Sequence, residues 1–203
     1  MPCRSLSSGD QALVQIVDAA LADSTRRSGK WLACRPGCSH CCIGVFAINQ
    51  LDALRLRKGV AELELRAPER AVRLRERARE AVIRLSADFP GDPITGLLDE
   101  SEESAQQWDD FANDEPCPAL DPEAGTCELY EFRPIVCRTF GPPIMSEGDL
   151  EVCKLCFDGA TDEEVAAGEM HSDPDNLEAA LLKEMENTTG TRGETIVAFA
   201  LVR

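Results

Sequence analysis

The sequence is poor in basic residues, and it lacks long hydrophobic runs. Its 203 residues include 21 Lys and Arg against 37 Asp and Glu, so the formal net charge is −16. Binding to nucleic acid or to an anionic membrane needs a basic surface, so neither partner is predicted. No apolar run approaches the roughly 20 residues of a membrane span, and the polar N-terminus has no secretion signal. We therefore expect a cytoplasmic protein.

Aromatic residues and several common catalytic motifs are also scarce or missing. Phe, Trp and Tyr make up 5% of the chain, so the core must consist mainly of Leu, Val, Ile and Ala. The sequence has no P-loop, no HExxH motif and no glycine-rich dinucleotide loop after a strand. The histidines are His40 and His171, so a Cys–His catalytic pair has few candidates. We expect His171 to be a surface residue, whereas His40 can be a metal ligand, a hydrogen-bond donor near the metal or an exposed neighbour.

Cysteine, by contrast, is abundant. The chain has ten, and nine of them fall in three tight groups at 34–42, 117–137 and 153–156. Cytosolic thiols are kept reduced, so disulfides explain these groups poorly. Closely spaced thiolates let short loops deliver several soft ligands to one metal, and this spacing predicts metal binding rather than scattered buried thiols. Cys3 stands alone, and for it we expect an ordinary free thiol.

Redox chemistry at the CxxC step is a weaker alternative. The step is formed by Cys153 and Cys156, but no βαβ pattern surrounds it.

Hydrophobic periodicity predicts a mainly α-helical fold with irregular cysteine-rich loops. Amphipathic helices are expected over 8–22, with Ser8 and Gln11 as a capping box, and over 49–66 and 68–87. We expect one domain with four parts. These are a helical scaffold 8–87, an acidic loop 88–116 with a helical turn near Trp108, a cysteine-rich core 117–160, and C-terminal helices 161–203.

The cysteine-rich core and the C-terminal part carry several local signals. Cys117 and Cys127 flank a turn-rich stretch that predicts a hairpin, and Pro134 should end a helical turn over 128–133. Thr161 with Glu164 predicts a second capping box. Helices are expected at about 161–170 and from Asp173-Pro174 to Gly190, and the apolar segment 195–202 fits a strand or a short helix equally well.

Charge is distributed unevenly along the chain. Residues 55–84 contain ten basic and five acidic residues, whereas residues 88–123 contain twelve acidic residues and no Lys or Arg. The arginine-rich helix 68–87 and the acidic loop 88–115 can form one wall of a cleft, or their charges can simply neutralise each other. We favour neutralisation. Arg133 and Arg138, within the cysteine-rich core, can bind an anion, donate hydrogen bonds near the metal, or pair with the carboxylates of Glu128 and Glu131.

The cysteine pattern resembles a known family. The string C-x3-C-x2-CC at Cys34–Cys42, followed by CPALDPEAGTCELYEFRPIVCRTF at Cys117–Phe140, is similar to the YkgJ family of cysteine-cluster proteins. That family is named for a CxxCxxCC motif and is described as zinc- or iron-chelating. Here three residues, rather than two, separate the first two cysteines. The resemblance implies these metal ligands: Cys34, Cys38, Cys41, Cys42, Cys117, Cys127 and Cys137. Cys153 and Cys156 lie outside the resembling segments, and their assignment as ligands depends on CxxC spacing alone.

The sequence leaves the metal and the chemistry open. Two tetrahedral zinc sites would use eight thiolates, whereas an iron–sulfur cluster would use four and leave the others for a second centre. Adjacent side chains diverge, so Cys41 and Cys42 can serve two metals or bridge within one multinuclear site. Two functions are therefore considered: a metal-binding module that binds a partner or handles metal, or an iron-dependent redox or group-transfer enzyme. The sequence does not identify a protein partner or a small-molecule substrate. A related domain occurs in a flagellin lysine N-methylase.

Overall fold

A computed structural model describes residues 7–35, 37–146 and 148–202. Within these ranges the fold is mainly α, as predicted, with eight α-helices and four two-stranded antiparallel ribbons. The helices are α1 Ser8–Ser28, α2 Gln50–Arg66, α3 Pro68–Leu85, α4 Glu102–Asp110, α5 Ile135–Thr139, α6 Asp162–Ala167, α7 Leu177–Thr189 and α8 Val197–Val202. The strands are β1 Ala47–Ile48, β2 Gly91–Asp92, β3 Leu97–Leu98, β4 Leu120–Asp121, β5 Thr126–Cys127, β6 Ile144–Ser146, β7 Asp149–Glu151 and β8 Thr195–Ile196. Short 3₁₀ turns occur at Gly29–Trp31, His40–Cys42 and Tyr130–Phe132.

Helix α1 is longer than predicted, and a different residue caps it. Ser7, rather than Ser8, is the N-cap, and its hydroxyl accepts a hydrogen bond from the Asp10 N–H. The helix continues beyond residue 22 because nothing in the following residues breaks it until Gly29, which adopts a positive φ of 52°. Leu13 and Val17 are fully buried on its inner face.

Helices α2 and α3 are present close to the predicted bounds of 49–66 and 68–87. The Asn49 side chain caps α2, and Pro68 occupies the first turn of α3. Gly59 weakens helix propensity, but a Cβ atom at this position would lie 2.7 Å from the Phe132 side chain. The missing side chain therefore lets the 3₁₀ turn after Cys127 pack directly on α2.

The apolar C-terminal segment is both a strand and a helix. Thr195 and Ile196 pair antiparallel with Ile48 and Ala47. The chain then becomes α8, which packs against α2 and α3 and buries Ala198, Phe199, Ala200 and Leu201. An apolar run that is buried on all sides has no periodicity from which its conformation can be predicted.

The acidic segment has more regular structure than the predicted loop. It contains the β2–β3 ribbon and α4, a nine-residue helix capped by Ser101 that ends just after Trp108. Phe89 and Phe111 anchor the segment beside Phe199 of α8. The structure favours charge neutralisation, because Arg84 of α3 lies 2.6 Å from Glu115.

The helices predicted from Thr161 and from Asp173 are both present, the first with an earlier end and the second with a later start. Thr161 and Glu164 form the expected capping box, and α6 ends at Ala167. Helix α7 begins at Leu177 because the Asp173 carboxylate accepts hydrogen bonds from the N–H groups of Leu177 and Glu178. Gly190 ends it in the left-handed conformation, as predicted. Among the described residues, no helix has the length and apolar character needed to cross a membrane.

Candidate metal centre

The first and second cysteine segments lie side by side in the fold. The Cys117 N–H donates to the Cys42 carbonyl at 2.7 Å, and the Gly44 N–H donates to the Glu115 carbonyl at 2.9 Å. Between these bonds Ile43 and Pro116 form an antiparallel bridge. Backbone pairing therefore joins two segments that are far apart in the chain.

The second segment is built as the turn chemistry predicts. Strands β4 and β5 form a hairpin in which Leu120 pairs with Cys127, and Cys117 lies just before it. The Tyr130–Phe132 turn follows, and Pro134 starts helix α5, which carries Cys137. Backbone N–H groups of Ala119 and Leu129 donate hydrogen bonds to the sulfurs of Cys117 and Cys127, respectively. Such bonds stabilise the thiolate form that binds metal.

The third segment packs against the residues that lead into the first. The Phe157 N–H donates to the Trp31 carbonyl at 2.8 Å, and the Ala33 N–H donates to Cys156 Sγ at 3.4 Å. Cys153 and Cys156 are both buried, and a hydrogen bond from the Cys156 N–H to the Cys153 carbonyl closes the CxxC turn. The CxxC turn therefore lies beside the residues that lead to Cys34, and the assignment of Cys153 and Cys156 as metal ligands stays a prediction.

Gly141 makes room for one of the thiols, and sequence reasoning missed its role. Its φ is +125°, and a Cβ atom here would lie 2.6 Å from Cys34 Sγ. Only glycine accepts both the conformation and the contact. The sequence feature that could have indicated this role is the position of Gly141, four residues after Cys137 and directly after Phe140, the last residue of the segment that resembles the family.

Most thiols in the site are held in the protonated form when no cation is present. Burial raises the pKa of Cys117 to about 12, and burial together with the Cys117 charge raises the pKa of Cys137 well above its usual value. The Cys34 residue is exposed as a whole, but burial of its thiol and the adjacent Cys156 raise its pKa to about 12. A bound cation would reverse these shifts, because it stabilises the thiolate directly.

The adjacent thiols Cys41 and Cys42 form a coupled pair. A hydrogen bond from the Cys42 thiol, together with a smaller effect of the nearby Arg133 guanidinium, lowers the pKa of Cys41 to about 7. The same bond raises the pKa of Cys42, because its proton is shared with the Cys41 thiolate. The pair therefore provides one thiolate near neutral pH, which is a nucleophilic ligand for an incoming cation.

The described cysteine thiols are the type of donor that binds zinc or iron, but they do not converge on one position in this structure. All nine described cysteines are free thiols. Among residues 7–35, 37–146 and 148–202, no three His, Cys, Asp or Glu side chains converge closely enough to hold a metal ion. Thiolate sulfur is nevertheless the donor that zinc and iron–sulfur clusters prefer, and the glycine cradle and the N–H···S bonds suit charged sulfurs. Metal binding would require the thiols to approach one another further.

The two arginines of the second segment make contacts that differ from the carboxylate pairing considered from the sequence. Arg138 donates two hydrogen bonds to the Asp18 carboxylate, at 2.6 and 2.8 Å, and another to the Glu131 carbonyl. Arg133 stacks on the Tyr130 ring with a separation of 3.8 Å. Sequence proximity suggested Glu128 and Glu131 as partners, but tertiary packing brings Asp18 of α1 to Arg138.

Glu128 is instead neutralised by the basic helix α3. It forms ion pairs with Arg70 and Arg77, and its side chain is almost fully buried. These contacts attach the hairpin that carries Cys117 and Cys127 to the helical scaffold.

A buried ionic network attaches helix α5, and with it Cys137, to the scaffold. Arg55 of α2 lies 2.6 Å from Asp10 and 2.5 Å from Asp52, and all three are buried. The Asp52 carboxylate also accepts a hydrogen bond from the Ile135 N–H at 2.9 Å. Burial raises the pKa of Asp52 to about 6, although Arg55 opposes this rise. Sequence reasoning did not identify this network.

The histidines have different surroundings. His171 is a surface residue, as predicted, with 71% of its side chain exposed. His40 is partly buried and begins the 3₁₀ turn that carries Cys41 and Cys42.

A cavity of about 550 Å³ borders the cysteine segments. Seven of the nine described thiols line it, and Cys153 and Cys156 are the two that do not. The other walls are mainly apolar and include Phe46, Leu56 and Phe140, while Arg35 and Arg133 supply positive charge. This volume is in the range of small-molecule sites in proteins.

A helical scaffold that presents free thiols from three loops defines a class of cysteine-cluster metal-binding domain. Residues 33–157 match the CxxCxxCC family, whose description is "Putative zinc- or iron-chelating domain". This match covers more than half of the chain, so the protein belongs to that family. It also extends beyond the resembling segments and takes in Cys153 and Cys156. No match was found among curated proteins or among solved structures.

Proposed function

We propose that this protein is a single-domain metal-binding module that holds zinc, iron or an iron–sulfur centre through clustered thiolates. The proposed ligands are the nine described cysteines: Cys34, Cys38, Cys41, Cys42, Cys117, Cys127, Cys137, Cys153 and Cys156. One observation carries the proposal: free thiols from three distant segments are gathered in one region of a chain that belongs to a zinc- or iron-chelating family.

The local structure supports a role for these thiols as ligands. Backbone N–H groups donate to the sulfurs of Cys117, Cys127 and Cys156. Buried thiols with raised pKa values need a cation before they ionise, so the protein alone stabilises them as neutral groups. A bound metal would stabilise the thiolate form of these groups, and its binding would be coupled to folding of the loops.

Elemental analysis after parallel aerobic and anaerobic purification tests the proposal. Iron with visible sulfur-to-iron charge-transfer absorption would identify an iron centre, and about two zinc ions in a colourless protein would identify closed four-thiolate sites. A control carrying Cys3→Ala should keep the full metal content. Protein that binds neither metal, even after anaerobic reconstitution, would show that the proposal is wrong.

The cavity favours a second candidate, an iron-dependent metalloenzyme. A metal held beside a space of about 550 Å³ can keep a coordination position open, whereas a closed four-thiolate site cannot. Cyanide added to iron-loaded protein tests this candidate. A changed visible spectrum is expected if a coordination position is open. An unchanged spectrum with full iron occupancy would contradict the metalloenzyme and leave the metal-binding module as the remaining candidate.

A further inference from the structure

The nine described thiols occupy two different neighbourhoods in the fold. Cys153 and Cys156 belong to an apolar cluster with Trp31, Leu32 and Phe140. Cys117 and Cys127 instead pack against the scaffold core, which includes fully buried side chains of α2 and α3 such as those of Leu56, Val60 and Leu74.

Gly141 draws Cys34 toward the first neighbourhood. Its carbonyl accepts a hydrogen bond from the Cys153 N–H at 3.4 Å, and its missing side chain leaves space for Cys34 Sγ. The Ala33 N–H, adjacent to Cys34, donates to Cys156 Sγ. One glycine and one amide therefore bring Cys34 to the CxxC turn.

The rest of the first cysteine segment turns the other way. The His40–Cys42 turn follows Cys38, and the Cys42 carbonyl accepts the Cys117 N–H. The two ends of the segment 34–42 thus lie beside different partner segments, with Cys34 near the CxxC turn and Cys42 paired with Cys117.

Electrostatic neighbours divide in the same way. The thiols that raise the pKa of Cys34 are Cys156, Cys38 and Cys153. Those that raise the pKa of Cys137 are Cys117, Cys41 and Cys127. Both sets match the grouping that backbone contacts and apolar packing define.

We propose that the thiols form two separate metal sites, which we call site A and site B. Site A comprises Cys34, Cys38, Cys153 and Cys156, and site B comprises Cys41, Cys42, Cys117, Cys127 and Cys137. This inference rests on the proposed function and deepens it.

The two sites have different ligand chemistry. Site A combines a C-x3-C pair with a CxxC pair, and four thiolates complete a single tetrahedral ion such as zinc. Site B has one thiol more than a tetrahedral ion uses, and all five of its thiols line the cavity, as do Cys34 and Cys38 of site A.

Three double variants test the division by anaerobic cobalt titration, followed by visible absorption and elemental analysis. Cys153→Ala with Cys156→Ala should abolish site A alone, and Cys117→Ala with Cys127→Ala should abolish site B alone. The cross-group variant, Cys127→Ala with Cys156→Ala, should weaken cobalt binding at both sites, because it removes one thiol from each. All three remove two thiols, so only the grouping distinguishes them, and Cys3→Ala is the control with both sites intact.

Equal metal loss in all three variants would overturn the division in favour of one shared centre. If a double variant fails to fold, the single variants Cys34→Ala and Cys42→Ala replace it, and each should weaken a different class of cobalt site. Loss of the same class in both would also overturn the division. Wild-type protein that takes up no cobalt, zinc or iron would instead contradict the proposed function itself.

Discussion

Helices α2, α3 and α8 and the cysteine-rich residues 117–157 differ in what they bury. The three helices share an apolar core in which Leu56, Leu74 and Ala200 are at most 1% exposed. The buried apolar residues of 117–146 and 148–157, by contrast, are few and include Leu129, Ile135 and Phe157. The thiols of Cys153 and Cys156 occupy two further buried positions. Burial of apolar area drives folding, so the helices can hold their structure without help, whereas the cysteine loops need another source of stability.

The largest effect is expected from metal removal. Structural zinc contributes about 10 kcal/mol or more to folding of small zinc domains, because its ligands are collected only in the folded state. Anaerobic chelation should therefore expose amides in 117–157 to hydrogen exchange while α2 and α3 stay protected. Equal protection with and without metal would mean that the loops are stable on their own.

Arg55→Leu should be the most damaging single change in the scaffold. It leaves Asp10 and Asp52 as buried, unpaired carboxylates, and breaking a buried ion pair in this way costs about 3–5 kcal/mol. Urea denaturation measures the loss of unfolding free energy. The triple variant Asp10→Asn, Asp52→Asn, Arg55→Met removes the charges together and should recover at least half of that loss; no recovery would argue against a charge effect.

Asp52 should also make stability depend on pH. Its folded pKa of about 6 lies above the ordinary value of 3.8, so the folded state binds its proton more tightly than the unfolded state. Its contribution is therefore fully present below pH 3.8 and is lost as pH rises through 6, by about 3 kcal/mol.

Asp52→Asn should remove this pH-dependent part. Metal release at low pH acts in the opposite direction, so the informative quantity is the difference between wild type and variant at each pH. A difference that stays constant between pH 4 and 7 would contradict the shifted pKa.

Gly141→Ala should disturb the loops more than a comparable glycine change. It forces a side chain into positive φ and against Cys34 Sγ, at a cost of about 1–3 kcal/mol. Gly125→Ala is the matched control, because Gly125 has a φ of +65° and no neighbouring atom within 4 Å of the added Cβ. The midpoint temperature of thermal unfolding and the metal content should both fall further for Gly141→Ala than for the control. Equal effects would show that the contact with Cys34 Sγ is not the cause.

Arg84→Ala should have the smallest effect. Arg84 pairs with Glu115, but 52% of its side chain is exposed, and exposed ion pairs contribute at most about 1 kcal/mol. Unfolding free energy should change little, and metal content should stay the same. A large loss of metal would indicate that the basic helix acts on the cysteine site directly.

Local signals in the sequence predicted much of this structure. The bounds of α2 and α3, the Cys117–Cys127 hairpin, the Thr161 capping box and the Gly190 C-cap follow from chemistry within a few residues. The start of α7 and the cap of α1 were wrong by one to three residues, because several polar side chains near a helix start compete to cap it.

The predicted metal character and the mainly helical class depended on residue type and spacing alone, because thiolates and apolar periodicity carry their chemistry wherever they fold. The contact of Gly141 with Cys34, the Arg55 network and the pairing of Arg138 with Asp18 were decided only by the tertiary structure, and the proposed division of the thiols depends on it as well. Each of these joins residues that are distant in the chain, and such contacts depend on how helices pack rather than on any local pattern. The sequence by itself therefore determined which thiols are candidate ligands, and the fold determined which cysteine segments lie side by side.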